Sequence, residues 1–221
     1  EYRGYDSAGV CMIYQGELVR RRAPGKLANL VRELQIYPAP GTVGIAHTRW
    51  ATHGAPTAAN AHPHATEELA LVHNGIIENF RELKEELERT GAKFQSQTDT
   101  EVVAHLLAHE RSKGFSPQEA VKNCLRRLRG AFAFAILFKT ENDLLIGARR
   151  GSPLAVGHGE GQMYLGSDAI ALAPFTDTIS YLEDGDWVVV NRDGAQVRDA
   201  SGANVKRAIL KSNASSFLVD K

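Results

Sequence analysis

The alternation of hydrophobic and polar positions predicts a β-rich start to the chain. "SAGVCMIYQGELVRRRA", residues 7–23, alternates and reverses direction at Gln15-Gly16, which predicts a β-hairpin. "KLANLVRELQ", residues 26–35, has its leucines and valine at helical spacing. "GTVGIAHT" (41–48) and "ELALVH" (68–73) are short apolar runs typical of buried strands. Both runs end in polar clusters, so these two strand ends are candidates for a site.

Three helices are predicted next. "IIENFRELKEELERTG" (76–91) has Ile76, Phe80, Leu83 and Leu87 on one face and ends at Gly91. "TDTEVVAHLLAHERSKG" (98–114) opens with Thr98 and Glu101 in a capping-box pattern. "SPQEAVKNCLRRLRG" (116–130) begins with Ser116 as the N-cap and Pro117 in the first turn, and Gly130 is its predicted end.

From Ala131 onward the pattern is mostly that of strands, with one helical stretch, "AIALAPF" (169–175). Asp184-Gly185 and Asp193-Gly194 are strong turn dipeptides between these strands. Hairpins with grouped helices favour an α+β fold with antiparallel sheets over a doubly wound parallel sheet. Strands such as "AFAFAILF" (131–138) are apolar on both faces, so the sheets are expected inside and the helices outside.

Composition excludes several classes of function. Lys plus Arg and Asp plus Glu both total 26 in 221 residues, so no net field attracts nucleic acid or anionic lipid. No apolar run approaches the ~20 residues that a membrane helix needs. Two cysteines exclude a disulfide framework and indicate a reducing compartment. We therefore expect a cytoplasmic protein that binds neither nucleic acid nor membrane.

The two strand ends carry groups that could bind an α-amino acid. Arg49 in "HTRWATHG" (47–54) offers a planar fork for a carboxylate. Asp99 begins a predicted helix and offers an acceptor for an ammonium group. If the strands ending at residues 48 and 73 are neighbours, these segments meet at one edge of the sheet. The residues that could line such a pocket are Trp50, Thr52 and His53.

Asn74-Gly75 adds a side-chain amide next to a permissive backbone N–H, a pair that could stabilise an oxyanion. On the residues alone a structural interpretation stays open. Arg and Asp pair for structural reasons more often than they hold a ligand, and Asn-Gly is commonly a simple turn.

Five histidines between residues 47 and 73 raise the question of a metal site. They are His47, His53, His62, His64 and His73. No histidine-carboxylate helix pair with ligand spacing accompanies them, so a metal is not expected. We expect His62 and His64 to shape a loop, and His47 and His73 to support the pocket through hydrogen bonds.

Eight segments resemble one known family, in the same order and at similar spacing. They are "EYRGYDSAG", "HTRWATHG", "NAHPH", "VHNGIIEN", "TDTEV", "RGAFAFAI", "ARRGSPL" and "GSDAIAL". The chain resembles, over nearly its whole length, the glutaminase domains of the glucosamine-6-phosphate synthase (glutamine–fructose-6-phosphate aminotransferase) family. These are class II glutamine amidotransferases with the N-terminal-nucleophile hydrolase fold. The resemblance implies a four-layer αββα sandwich of antiparallel sheets.

The resemblance also implies roles for the site residues. Arg49 would hold the carboxylate of L-glutamine and Asp99 its α-ammonium group. Asn74 and Gly75 would form the oxyanion hole. The loop that closes over glutamine would include Trp50, Thr52 and His53. These three residues and Gly75 would also bind the substrate. The role of Arg3 in "YRGYDS" stays open, and the family uses no cofactor and no metal for glutamine hydrolysis.

The family's nucleophile is an N-terminal cysteine activated by its own α-amine, and no cysteine precedes "EYRGYDSAG" here. By this resemblance we expect the chain to lack the family's first strand and helix, and to be inactive alone. Cys11 lies in a predicted strand and Cys124 on the apolar face of a predicted helix, so both are expected to be structural.

The resemblance divides the chain into an amidotransferase domain at 1–211 and the start of a linker at 212–221. In the family the linker leads to a sugar-isomerase portion that binds fructose 6-phosphate and receives ammonia. The expected partners are thus L-glutamine and the sugar-isomerase domains of the same polypeptide, in a homo-oligomeric enzyme. Two alternatives stay open: an amidotransferase with another ammonia acceptor, and a non-catalytic amino-acid-binding module.

Overall fold

The computed structural model describes residues 4–50 and 54–213, which fold into three antiparallel sheets and five helices. The three-stranded sheet has the order β2 (Glu17–Pro24), β1 (Ser7–Tyr14), β3 (Val43–Arg49). The seven-stranded sheet has the order β13 (Asn204–Val205), β12 (Gly194–Arg198), β11 (Trp187–Asn191), β7 (Leu145–Arg150), β6 (Gly130–Phe138), β5 (Leu69–Ile77), β4 (His64–Ala65). The four-stranded sheet has the order β14 (Leu210–Lys211), β10 (Thr178–Tyr181), β8 (Ala155–Gly159), β9 (Gln162–Gly166). The helices are α1 (Leu27–Ile36), α2 (Phe80–Arg89), α3 (Thr100–Ser112), α4 (Pro117–Arg127) and α5 (Ala169–Leu172).

These elements form the predicted αββα sandwich. Helices α2, α3 and α4 pack on one face of the seven-stranded sheet and form the largest apolar cluster. The other face is covered by the three-stranded sheet around Ile45 and by the four-stranded sheet around Val156. Helix α1 lies outside the three-stranded sheet and α5 outside the four-stranded one. The two small sheets therefore share one layer of the sandwich.

Strand β6 shows why the sheets lie inside. Phe132 and Phe134 face the helices and stack with ring centroids 4.7 Å apart, and both are almost fully buried. Ala133 and Leu137 face the opposite sheets and are buried as well. Since each buried phenylalanine contributes about 1.5–3 kcal/mol relative to exposure, a strand that is apolar on both faces is stable only between layers.

Two local sequence signals are confirmed. The β1–β2 hairpin turns at Gln15 and Gly16, whose φ angles of 52° and 76° suit the tight turns of hairpins. Helix α4 has the predicted capping box, in which Ser116 and Glu119 bond each other's backbone N–H. It ends at Arg127, three residues before the predicted stop, and Gly130 instead begins β6.

Two helix starts were predicted wrongly. Helix α2 begins at Phe80, because Ile76 and Ile77 continue β5 in register with β6. Helix α3 has no side-chain cap from Thr98, and Glu101 bonds the segment before the helix instead. In both cases hydrogen bonds to a segment outside the helix outweigh the helix-start pattern in the sequence.

The strands that end at the two polar clusters are not neighbours in one sheet, so the condition considered for bringing these segments together is not met. Strand β3 pairs with β1, and β5 pairs with β6 and β4. The two strands lie in facing sheets that share the apolar cluster around Ile45 and Val72. Within 4–50 and 54–213, no helix is long and apolar enough to cross a membrane. The stretch expected to begin a linker lies mostly beyond residue 213, outside the described residues.

Candidate functional site

One polar cavity of about 190 Å³ lies where β3, β5 and the start of α3 converge. Its lining residues are His47, Thr48, Arg49, Trp50, His62, His73, Asn74, Gly75, Thr98, Asp99 and Thr100. This volume is below the roughly 300–1,000 Å³ of drug-sized sites, which suits a ligand of amino-acid size. The structure therefore brings Arg49, Trp50, Asn74, Gly75 and Asp99 together, although they come from three separate segments.

Arg49 is 4% exposed and ends β3 on the cavity wall. Its guanidinium donates hydrogen bonds to the carbonyl groups of Gly54 and Ala55, each at 3.3 Å. Asn60 also donates to the Ala55 carbonyl and accepts from the N–H of Gln97, just before α3. The loop after β3 is thus tied both to Arg49 and to the start of α3, which fixes the cationic side of the cavity.

Asp99 supplies the anionic side. It is 4% exposed, and its Oδ2 accepts the backbone N–H of Ile77 at 2.7 Å. Its Oδ1 has no hydrogen-bond partner among the residues that the structure describes. A buried carboxylate with one oxygen engaged by the sheet and the other available to the cavity is well placed to accept from an ammonium group.

Asn74 and Gly75 lie at the exposed end of β5. Backbone hydrogen bonds at Glu68 and Glu78 join β5 to β6. Hydrogen-bonded pairs alternate along an antiparallel ladder, so the even-numbered residues of β5 form hydrogen bonds with β6. The backbone N–H groups of the odd-numbered residues are directed to the opposite edge of β5, away from β6. Ile77 is of the odd-numbered set, and its N–H bonds Asp99. Gly75 belongs to the same set, so its N–H is kept out of the β5–β6 ladder and is available on the cavity side.

A buried network of threonines and histidines holds α3 against the sheets. Thr98 Oγ1 lies 3.0 Å from His64 Nε2. Thr100 Oγ1 lies 3.1 Å from His62 Nε2 and 2.9 Å from His73 Nδ1. These two threonines flank Asp99, so the bonds on either side of it fix the position of the carboxylate.

Burial keeps His62, His64 and the neighbouring His47 neutral at neutral pH. Burial lowers the pKa of His64 to about 3 and the pKa of His62 well below its ordinary value. Burial also lowers the pKa of His47, whose ring contacts that of His62 in a tilted arrangement with centroids 4.4 Å apart. Arg49 and Asp99 place one charge of each sign in the cavity wall.

Glu101, in the first turn of α3, anchors the segment that leads into the helix. Its carboxylate accepts hydrogen bonds from the N–H groups of Gln95 and Ser96, at 2.8 and 2.6 Å, and from the Ser96 hydroxyl. Burial alone would raise the pKa of Glu101. The contacts with His105 and with the Ser96 and Gln95 donors outweigh burial and lower the pKa to about 2.

This pKa predicts a dependence of stability on pH. Since the folded pKa lies below the usual 4.5, the stabilisation by Glu101 is present above about pH 4.5 and is lost as the pH falls toward about 2. The shift corresponds to at most roughly 3 kcal/mol. We expect the free energy of unfolding to differ most between the unmodified chain and Glu101→Gln at pH 5–6, and the difference to shrink toward pH 3. Urea denaturation with exposed Glu160→Gln as the control measures this, and a difference independent of pH would refute it.

A groove leads away from the cavity between the two small sheets. Its walls are β3 and β9, its floor includes Ala133, Ala135 and Leu145, and the part nearest the site encloses about 480 Å³. Among the described residues each of β3 and β9 pairs on one side only, so both have a free edge. Four residues line both the groove and the cavity: His47, Thr48, His73 and Asn74. An extended segment in the groove would thus end at the cavity.

Neither cysteine of the chain is suited to act as a nucleophile. Cys11 is fully buried, and burial raises its pKa to about 11. Cys124 is 2% exposed, and burial raises its pKa further. A thiol must ionise and reach solvent to react, so both cysteines are structural, as predicted.

Some predicted site residues cannot be placed. Thr52, His53 and Arg3 lie outside the described residues. Trp50 is 61% exposed and makes an edge contact with Tyr5, with ring centroids 5.5 Å apart.

The cavity also contains residues that the sequence analysis did not select, namely Thr48, Thr98, Thr100 and the buried His62. Their only sequence signal is that they belong to the motifs "HTR", "HPH" and "TDT". No group of three or more His, Cys, Asp or Glu residues within 4–50 and 54–213 could hold a metal ion.

The fold is an αββα sandwich, and its cavity carries one charge of each sign at the ends of the two inner layers. Together these features define an N-terminal-nucleophile hydrolase fold of the class II amidotransferase type. The comparisons agree with this class. The family model described as "Glutamine amidotransferase domain" matches residues 47–174, and the chain belongs to this family.

Two bacterial enzymes are similar to the whole chain. The glutamine–fructose-6-phosphate aminotransferase [isomerizing] of Mesorhizobium japonicum is 63% identical over all 221 residues, and that of Zymomonas mobilis subsp. mobilis is 62% identical. The chain spans 36% of the length of each. Among solved structures, glutamine phosphoribosylpyrophosphate amidotransferase from B. subtilis superposes with a TM-score of 0.77 at 28% identity, over 92% of this chain and 45% of that one.

Proposed function

We propose that this chain binds L-glutamine in the cavity and forms the glutamine-hydrolysing part of a glutamine–fructose-6-phosphate aminotransferase. The observation that carries the proposal is the pair of opposite charges, Arg49 and Asp99, in the same 190 Å³ cavity as Asn74 and Gly75. Arg49 binds the α-carboxylate and Asp99 the α-ammonium group. Trp50 then borders the bound amino acid, together with Thr52 and His53 of the same loop.

With its α-groups held in this way, the side-chain amide of glutamine extends toward Asn74 and Gly75. A thiolate attacks the amide carbon, and the carbonyl oxygen becomes an oxyanion that accepts from Asn74 Nδ2 and the Gly75 N–H. The C–N bond then breaks and ammonia leaves after protonation. Water hydrolyses the γ-glutamyl thioester, which releases glutamate and restores the thiol. One such donor contributes about 10²–10³-fold to the rate in comparable sites.

The thiolate comes from outside the described residues. Cys11 and Cys124 are buried, with raised pKa values, and neither lines the cavity. We propose that an extended segment adds to the free edges of β3 and β9 and delivers a terminal cysteine to the end of the groove beside Asn74. Backbone pairing on both sides would hold that segment, and the α-amine of the cysteine would act as the base.

The remaining part of the proposal concerns the ammonia acceptor. Relatives named for fructose 6-phosphate are 60–63% identical to this chain over its whole length. We therefore propose fructose 6-phosphate as the acceptor, bound by further domains of the same polypeptide in a homo-oligomer of the cytoplasm. No cofactor takes part in the chemistry at the glutamine site.

The test is glutamate release from L-glutamine by the protein that the complete gene encodes, with and without fructose 6-phosphate. We expect release that rises when the sugar is present. A diazoketone analogue of glutamine should label one cysteine, outside residues 4–213, as located by mass spectrometry. Label on Cys11 or Cys124 would overturn the assignment of the nucleophile. Binding of glutamine without any release would instead favour an amino-acid-binding module, and release that ignores fructose 6-phosphate would favour another acceptor.

A further inference from the structure

We propose that His47 is a positioning residue that fixes which end of the Asn74 side-chain amide faces the cavity, an inference that rests on the proposed glutamine hydrolysis. Asn74 Oδ1 lies 2.7 Å from His47 Nε2. A side-chain amide has an acceptor end and a donor end, and only the NH₂ end can stabilise an oxyanion. The direction of this one hydrogen bond therefore decides whether Asn74 can serve the reaction.

The tautomer of His47 sets that direction. Burial lowers the pKa of His47, so the ring is neutral at neutral pH and carries a single N–H. With the proton on Nε2, His47 donates to Asn74 Oδ1 and the NH₂ group is directed to the cavity. With the proton on Nδ1, Nε2 accepts from the Asn74 NH₂ group, and the amide oxygen is directed to the cavity, where it would repel an oxyanion.

The surroundings of Nδ1 favour the productive tautomer. Nδ1 of His47 is buried and has no hydrogen-bond partner of normal geometry among the described residues. A contact with the His73 backbone raises the pKa of His47, but it falls outside the geometry of a hydrogen bond. A buried N–H without an acceptor is rarer in proteins than a buried acceptor without a donor, so the proton is expected on Nε2. The strand pairing of β3 with β1 then holds the ring in place.

The other histidines of the network do not have this role. His62 and His73 bond Thr100, and His64 bonds Thr98. His64 is 2% exposed and its ring is 4.9 Å from that of His62, but it does not line the cavity. Because the network also supports Asp99, the control is taken outside it: His158 on β8 bonds the Ser180 hydroxyl and does not line the cavity.

The kinetic test uses the protein encoded by the complete gene. We expect His47→Leu to lower kcat for glutamate release about 10²-fold while KM for glutamine changes less than about threefold, since only the oxyanion donor is misaligned. His47→Gln, whose amide can still donate to Asn74, should recover most of the rate. His158→Gln should leave kcat unchanged even if it lowers Tm, since His158 bonds Ser180 outside the cavity. If His47→Leu has the same kcat as the unmodified protein, the inference is wrong.

A spectroscopic test is independent of activity. In the unmodified chain labelled with ¹⁵N-histidine, the nitrogen chemical shifts report which ring nitrogen of His47 carries the proton. We expect the Nε2–H tautomer. An Nδ1–H tautomer, bonded toward the His73 backbone, would overturn the inference. If the unmodified full protein released no glutamate at all, the proposed function would be refuted instead, and the tautomer measurement would still decide the hydrogen bond.

Discussion

Replacing Asp99 with asparagine is expected to weaken L-glutamine binding by about 1.5–3 kcal/mol, or roughly 10- to 150-fold in Kd. The substitution keeps the shape of the side chain, and its remaining oxygen can still accept the N–H of Ile77, which Asp99 Oδ2 accepts at 2.7 Å. The negative charge opposite the α-ammonium group is lost. Isothermal titration with L-glutamine measures the change.

Asp184→Asn is the control for this experiment. Asp184 is exposed, and the substitution removes the same unit of charge outside the cavity. Equal affinity of Asp99→Asn and the unmodified chain would exclude Asp99 as the ammonium acceptor. A loss of folding in Asp99→Asn would be recognised separately by its thermal melt.

The second large effect is expected at Gly75. Its φ angle is 129°, which residues with a side chain rarely adopt, and a Cβ there would lie 2.0 Å from the carbonyl oxygen of Ala131. Gly75→Ala must therefore either strain the backbone or separate β5 from β6. We expect a loss of about 2–4 kcal/mol in the free energy of unfolding, together with loss of glutamine hydrolysis.

Gly161→Ala separates the cost of the backbone conformation from the cost of the steric clash. Gly161 has a φ of 65° in the β8–β9 turn, and a Cβ there would have no neighbour within 4 Å. Its cost should be that of the left-handed conformation alone, about 1–2 kcal/mol. Urea denaturation of both variants gives the comparison. If Gly75→Ala is no less stable than Gly161→Ala, the close approach of β5 to β6 is not as described.

Much of the fold could be predicted because its signals are local. The Gln15-Gly16 turn requires positive φ, and the Ser116 capping box satisfies its own helix end. Both depend on residues a few positions apart. The hydrophobic alternation of β6 likewise reports the layers on its two faces, since phenylalanines and alanines alternate between them.

The errors have a common physical cause: a partner outside the predicted helix competes with the local pattern. Ile76 has a helical spacing to Phe80, but its backbone pairs with Ala131 across β5 and β6. Glu101 stands at the capping-box position, but the Ser96 and Gln95 amides bind its carboxylate. The strand partner of Ile76 is distant in the sequence. The donors to Glu101 are near in the sequence but lie outside the capping-box spacing, and the pattern alone does not give the relative energies of the two arrangements.

The sequence was sufficient to predict which residues could bind the ligand, but not which elements of the fold bring them together. Arg49 and Asp99 could be selected because a guanidinium and a carboxylate complement an α-amino acid. Their meeting depends on two facing sheets rather than on neighbouring strands. The supporting contacts of Thr98 and Thr100 with buried histidines could not be foreseen, since threonine before a helix is usually read as a cap.

The most direct test of the central claim compares L-glutamine with glutaramic acid, which is glutamine without its α-amino group. Titrations of both ligands into the chain and into its Asp99→Asn variant form a cycle that isolates the contact between Asp99 and the ammonium group. We predict that glutaramic acid binds the unmodified chain roughly 10-fold or more weakly than L-glutamine, and that the difference nearly disappears in Asp99→Asn. Equal binding of the two ligands, or a difference that persists in Asp99→Asn, would contradict the claim that this cavity recognises L-glutamine through Asp99.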